Sequence, residues 1–223
     1  MNVRARVSAL AVAVLAAGML ASPASAADPA TVFVAHGIPG VKVDVCVNGA
    51  EVKSDFRYGH WFKASLPAGS YQIKVRIAKP GICTGLAVIS KTVTLTDGLN
   101  ATAIARLVGT IPNLKVFVND INVPDGNTAT ATVRHTAVAP KVDVFVNGGT
   151  PAITGLAHGD SVGPVPLAKG VYSFWAALQG HYQPVIGPIV KNLVGGRAYQ
   201  IFAVGNQLRN YRFIVIGQDG IAP

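Results

Sequence analysis

Lys141-Val142-Asp143-Val144-Phe145-Val146-Asn147-Gly148 has a near-copy earlier in the same chain, Lys42-Val43-Asp44-Val45-Cys46-Val47-Asn48-Gly49. Both read V-D-V-x-V-N-G, 99 positions apart, and a histidine stands eight residues before each Asp, as His36 and His135. A period that long marks duplication of a domain-sized unit, not a solenoid. Each stretch reads as a strand: Val43, Val45 and Val47, and again Val142, Val144 and Val146, alternate with a less apolar set. β-Branched residues suit a half-buried pleated surface. Asn48-Gly49 and Asn147-Gly148 then read as hairpin turns, because both central residues of a type I′ turn need positive φ.

Further along, the two copies keep step. Leu66-Pro67-Ala68-Gly69-Ser70-Tyr71 and Leu167-Ala168-Lys169-Gly170-Val171-Tyr172 each place a glycine turn before a strand. In the first, Tyr71, Ile73, Val75 and Ile77 are expected inward, with Gln72, Lys74 and Arg76 outward. Two more runs split by Thr96-Asp97-Gly98 have counterparts split by Gly195-Gly196, and a last short strand closes each copy, at residues 115–118 and 211–216. Pro112-Asn113 and Pro124-Asp125-Gly126-Asn127 read as connections. No window of the chain after residue 26 sustains a helical i, i+3, i+4, i+7 pattern. Short strands at regular spacing predict an all-β chain of two tandem, sequence-related β-sandwich units, residues 27–126 and 127–223.

Residues 1–26 read as a signal peptide. Arg4 and Arg6 give a positive start, residues 9–21 an uncharged apolar stretch, and Ala24-Ser25-Ala26 a cleavage pattern before Ala27. The expected product is secreted or held at the cell envelope, with no integral membrane anchor after cleavage. Export meets an oxidising compartment, so Cys46 and Cys83, the two cysteines of the chain, are expected to form a disulfide. They lack the paired spacing of a metal site.

Half of the 223 residues are hydrophobic and 13% are charged, which excludes a disordered chain. The net charge of +9 is spread along the sequence, without the exposed aromatics that a nucleic-acid binder would interleave. Trp61, Trp175, Tyr182 and Tyr211 could stack on sugar rings, but core packing or satisfied edge positions are the favoured reading, since aromatic residues dominate cores. Gly159-Asp160-Ser161-Val162-Gly163 matches the G-x-S-x-G of esterases, with His158 or His181 as a base, and defines the alternative of a secreted serine hydrolase. That motif needs a strand-to-helix turn, and Pro164-Val165-Pro166 cannot propagate a helix. No carboxylate pair, phosphate-cradling loop or cofactor fingerprint is present. The repeated His36, Asp44, Asn48, Gly49, His135, Asp143, Asn147 and Gly148 are expected to shape the fold, each histidine ring tying down a neighbouring loop.

Taken in order, the repeated H-x(6)-V-D-V-x-V-N-G, the L-P-A-G-S-Y element and the closing strands resemble the DUF4397 domain of exported bacterial proteins, over roughly Thr31 to Gly217 as two half-units. The resemblance implies immunoglobulin-like or transthyretin-like sandwiches at the cell surface. The acidic loop that family members often carry after the histidine is absent here, where Gly37-Ile38-Pro39-Gly40 and Thr136-Ala137-Val138-Ala139-Pro140 stand instead. The functional expectation is a non-catalytic envelope or extracellular module that binds or scaffolds, with a cell-wall polymer, an extracellular glycan or a surface protein as partner.

Overall fold

The computed structural model describes residues 27–79, 83–207 and 209–222. The signal peptide reading falls on residues 1–26 and lies outside them. The described residues hold sixteen strands and no helix. The first eight strands are β1 Ala30–His36, β2 Val43–Val47, β3 Ala50–Phe56, β4 Trp61–Leu66, β5 Gly69–Ile77, β6 Ile89–Leu95, β7 Asn100–Val108 and β8 Ile111–Val118. They form two four-stranded sheets, in the orders β4-β1-β7-β8 and β3-β2-β5-β6. The second eight are β9 Thr128–His135, β10 Val142–Val146, β11 Ile153–Leu156, β12 Ser161–Ala168, β13 Gly170–Leu178, β14 Pro184–Leu193, β15 Arg197–Asn206 and β16 Arg209–Asp219. Their sheets, β12-β9-β15-β16 and β11-β10-β13-β14, repeat the same topology. Neighbours pair antiparallel except at β1/β7 and β9/β15, where a parallel pair forms at the centre of one sheet in each unit.

The Asn-Gly turns differ between the copies. Asn48 (φ 49°) and Gly49 (φ 86°) join Val47 directly to its partner Ala50, the two-residue hairpin that the sequence predicts. After Asn147 and Gly148 the chain runs on through residues 149–152 before β11 begins, and β10 next pairs at Val144 with Ile153. In both copies the Asn side chain extends the sheet. Asn48 Oδ1 accepts the Gln72 N–H at 2.8 Å, and Asn147 Oδ1 accepts the Ser173 N–H at 2.9 Å.

Each unit has its own core. In the first, Val32, Val43, Val45, Val75 and Leu114 pack between the two sheets, and in the second Val133, Val142, Val144 and Ile201 do so. Val47 and Val146, expected inside with the others, are half-buried at the strand ends. The opposite face of β2 and β10 is not wet. Asp44 and Cys46 are each about 1% exposed, and Asp143 and Phe145 are buried as well. The segment after β5 or β13 folds over that face. In the first unit the disulfide from Cys83 to Cys46 holds it there. In the second, Tyr182 lies on Phe145 at 5.6 Å, and Phe145 stacks on Trp175 at 5.1 Å.

A third core joins the units. Phe33, Ala35, Ile104 and Phe117 from the first unit pack against Phe202, Val204, Ile214 and Ile216 from the second. The sheets containing β1 and β9 therefore face each other, and the molecule is a stack of four sheets. That explains why β1 (Ala-Thr-Val-Phe-Val-Ala-His) and β15 read as nearly continuous apolar runs: their strands are buried on both faces.

Two expectations on the outer strands are corrected. Pro112 and Asn113 are not a connection but lie inside β8, paired with Leu107 and Arg106. Proline is tolerated because β8 is an edge strand, with no neighbour needing its missing N–H. Ile77 does not face the core; it is 61% exposed at the end of β5.

Candidate functional site

The repeated polar residues form one frame in each unit. His36 is buried at the end of β1. Its Nε2 lies 3.1 Å from the Val41 carbonyl and its Nδ1 accepts the Ile38 N–H at 3.4 Å, which ties the 37–41 loop around the ring. Its backbone exchanges bonds with the turn before β4, donating to the His60 carbonyl and accepting from the Gly59 N–H. His135 repeats this with Nε2 3.0 Å from the Pro140 carbonyl and backbone bonds to Asp160 and Gly159. Burial pushes both imidazoles below their ordinary value, so the neutral ring is favoured, with Nε2–H donating.

Asp44 and Asp143 bridge two loops each. Asp44 Oδ1 accepts the Asp55 N–H at 3.0 Å and Oδ2 the Lys79 N–H at 2.6 Å. Asp143 accepts the Gly155 N–H at 2.7 Å and the Gly180 N–H at 2.8 Å in the same way. Asp55 and Gly155 both sit at positive φ, 47° and 65°, where β3 and β11 depart from regular pairing. The carboxylate supplies the acceptor that the distorted ladder lacks. Both oxygens and both ring nitrogens of the first frame thus face backbone of its own loops.

The sequence reading missed a polar set at the seam. Arg134, 3% exposed in β9, donates to Gln200 Oε1 at 2.6 Å, to Asn119 Oδ1 at 3.1 Å and to the Val118 carbonyl at 2.9 Å. Its guanidinium also lies over Phe117 and Phe202, at 4.9 and 5.2 Å from the ring centres. Burial draws it down to about 10. Beside it, Lys115 donates to the Gly159 carbonyl at 2.7 Å and Arg106 Nη1 to His158 Nε2 at 3.0 Å. Partial burial and then the neighbouring Arg106 push the Lys115 amine down. Apart from Arg134 to Gln200, which stays within the second unit, these bonds cross from one unit to the other. The clue in the sequence was a charge inside an otherwise small and apolar strand, Thr-Ala-Thr-Ala-Thr-Val-Arg-His, where the first copy has Ala35.

The esterase-like motif is dispersed. Ser161 opens strand β12, paired with Arg134, and no helix follows it. His158 uses Nδ1 toward the Ala137 carbonyl at 2.6 Å and Nε2 toward Arg106. His181 follows β13, in the other sheet of the unit, and its backbone N–H donates to Leu178. The arrangement offers Ser161 no oriented base and no helix N-terminus for an oxyanion. Among the described residues no group of three or more His, Cys, Asp or Glu is placed to hold a metal. Of the four aromatics weighed for sugar stacking, Trp61 packs edge-on to Phe33 at 5.6 Å, Trp175 stacks on Phe145, and the Tyr211 hydroxyl donates to Val138. Tyr182 keeps most of its ring exposed.

No curated protein matches the chain. Among solved structures, the Bacillus anthracis TIE protein matches with 13% identity and a TM-score of 0.23, over 82% of this chain and 34% of its own length. The chain therefore spans about a third of that protein. The family model described as "Domain of unknown function (DUF4397)" matches residues 30–144, from the start of β1 through the first unit and into β10. That match covers just over half of the sequence, and the chain belongs to the DUF4397 family.

Proposed function

We propose that this protein is an exported, non-catalytic module that binds or scaffolds at the cell surface or in the envelope. The observation that carries the reading is the engagement of the repeated polar residues. Asp44 and Asp143 direct both carboxylate oxygens, and His36 both ring nitrogens, to backbone of their own unit, so the duplicated motif builds loops in place of chemistry. A duplicated sandwich with firmly held loops is suited to recognition by those loops. The Cys46–Cys83 disulfide fits an oxidising compartment. A cell-wall polymer, an extracellular glycan or a surface protein is the partner class.

The test has two parts. Intact mass of the protein recovered from culture should correspond to a chain beginning at Ala27; a mass that includes Met1 counts against export. A glycan array and a pull-down with isolated cell walls should then retain the wild-type protein. Ester and peptide hydrolysis lost on Ser161→Ala would overturn the non-catalytic reading.

A further inference from the structure

In the first unit the two anchors of the polar frame hold the same short segment from opposite ends. Asp44 accepts the Asp55 N–H at the end of β3, and the His36 backbone bonds Gly59 and His60 just before β4. Between those anchors the chain turns from one sheet to the other. The second unit braces that turn. Arg212 Nη1 donates to the Tyr58 carbonyl at 3.3 Å, and its guanidinium lies 5.4 Å from the centre of the Tyr58 ring. The Tyr58 hydroxyl in turn donates to the Val204 carbonyl at 3.3 Å. A loop tied at this many points is ordered before a ligand arrives, which lowers the entropy cost of binding.

This segment shapes an open cleft of about 270 Å³. Phe56, which is buried, lines it together with the exposed Lys53, Asp55, Arg57, His60 and Trp61. Small-molecule pockets span about 300–1,000 Å³, so a cleft of this size suits one small unit. The Lys53 and Arg57 side chains make no hydrogen bond or ion pair with the described residues. Asp55 Oδ1 stands 4.0 Å from Lys42 Nζ, which offsets its charge. Two cations thus remain for an anion, and Asp55 Oδ2 remains to accept a hydroxyl. Phe33 covers only part of Trp61, which stays 39% exposed. A half-open indole offers a sugar ring an apolar surface.

The duplication supplies the comparison. The frame bonds align Asp55 with Gly155 and His60 with Asp160, and strand pairing aligns Lys53 with Ile153. Arg57 then matches Ala157, and Trp61 matches Ser161. The second unit builds the same turn with neither a cation nor an aromatic at these places. Lys53, Arg57 and Trp61 are therefore not needed to form the turn, and their chemistry is additional to it.

We propose that this cleft binds one acidic sugar unit of a surface or wall glycan. Lys53 and Arg57 hold its carboxylate or phosphate, Asp55 accepts a hydroxyl and Trp61 lies against the ring. The assignment rests on the surface-module reading and names its ligand class. The guanidinium of Arg57 is a planar fork that matches carboxylate and phosphate oxygens alike. A neutral sugar would leave both cations without a partner, and an acidic peptide would leave the indole and Asp55 unused.

The experiment uses the full mature chain with its disulfide intact. Glucuronate, N-acetylglucosamine 1-phosphate, neutral N-acetylglucosamine and triglutamate are titrated by NMR, read at the Trp61 indole and the Gly59 amide. At least one acidic sugar should shift both signals saturably, at least tenfold more tightly than the neutral sugar or the peptide, and more weakly as salt rises. Whichever acidic sugar binds more tightly separates a uronate-bearing from a phosphate-bearing glycan. Lys53→Ile with Arg57→Ala, and separately Lys53→Gln with Arg57→Gln, should each lose at least tenfold. Either folded variant decides, and should neither fold, the wild-type comparison decides alone. The proposal is overturned if neither acidic sugar shifts these signals, if the neutral sugar or the peptide binds as tightly, or if a folded variant binds as wild type does. Retention on isolated cell walls is measured in parallel. Retention with no binding in the cleft removes this site and leaves the surface reading standing, whereas binding in the cleft without retention supports the site and counts against the surface reading.

Discussion

Replacing Asp143 by Ala tests the frame directly. The carboxylate accepts two backbone N–H groups, from Gly155 at 2.7 Å and Gly180 at 2.8 Å, and is itself about 5% exposed. Hydrogen bonds to an ionised group contribute about 1.5–3 kcal/mol each, and at the exposed Gly180 water can take up part of what is lost. Both donors sit at positive-φ glycines, where no ladder partner replaces the lost acceptor. The expected loss is about 3–5 kcal/mol, a large share of the 5–15 kcal/mol typical of a folded domain. Asp143→Asn keeps one acceptor and turns its amide toward the other N–H, so it should fall between wild type and Ala. Urea unfolding followed by Trp175 fluorescence reads the effect, since Trp175 stacks on Phe145 two residues away on the same strand as Asp143. Hydrogen exchange at Gly155 and Gly180 should lose protection in parallel. A change within about 0.5 kcal/mol, the range of ordinary surface substitutions, would refute the bridging role.

Other outcomes follow from the same contacts. Reducing Cys46–Cys83, 37 positions apart, should lower stability by about 3–4 kcal/mol in the loop-entropy model; both thiols alkylating under native conditions would show that the bond is not formed. His36 and His135 are held below their ordinary value of 6.5 by burial. The unfolded chain therefore binds protons more readily, so their contribution is complete above about pH 6.5 and declines as pH falls below it. Denaturant midpoints between pH 7.5 and 5 should show this, and His36→Gln with His135→Gln should flatten it. Ala103 lines an apolar cavity of about 90 Å³ between the sheets of the first unit, and Ala103→Ile should raise stability to urea by up to about 2 kcal/mol by filling it; a loss of stability would mean the space cannot accept the side chain.

Much of the architecture was legible because duplication printed it twice. The alternation in Val-Asp-Val-x-Val, the first Asn-Gly turn and the glycine before each Tyr strand rest on local chemistry, and each became a strand or a turn, whereas Asn147-Gly148 opens a longer connection in place of a two-residue hairpin. What failed was the environment of a face. Asp44 and Cys46 read as the polar side of a strand, yet residues 35 to 37 positions downstream cover them. Periodicity within a strand carries no information about a segment that arrives from so far away. Pro112-Asn113 looked like a connection for a related reason, since proline is excluded from central strands but not from an edge such as β8. The seam was hidden too. A lone charge among the small residues of β9 is a local clue, but nothing in the strand says that Arg134 is buried and bonded to Asn119 and Gln200.

The seam also explains how two copies of one plan became unequal. By register, Arg134 in β9 stands where β1 has Ala35, and Arg106 in β7 stands where β15 has Val204. The two units meet through equivalent faces, so identical copies would bring like charges to like positions across the same plane. Placing the cation on β9 in one unit and on β7 in the other separates them along the seam. Each then reaches a partner in the opposite unit: Val118 and Asn119 for Arg134, His158 for Arg106. The apolar part, Phe33 and Ile104 against Phe202 and Ile214, supplies the adhesion, and the displaced cations fix which face meets which. A first unit facing another first unit would lack Arg134 and the acceptor Gln200, leaving the Asn119 amide without its guanidinium partner. The pairing is therefore specific to one copy of each kind, and the chain folds back on itself through residues 119–127 to supply both.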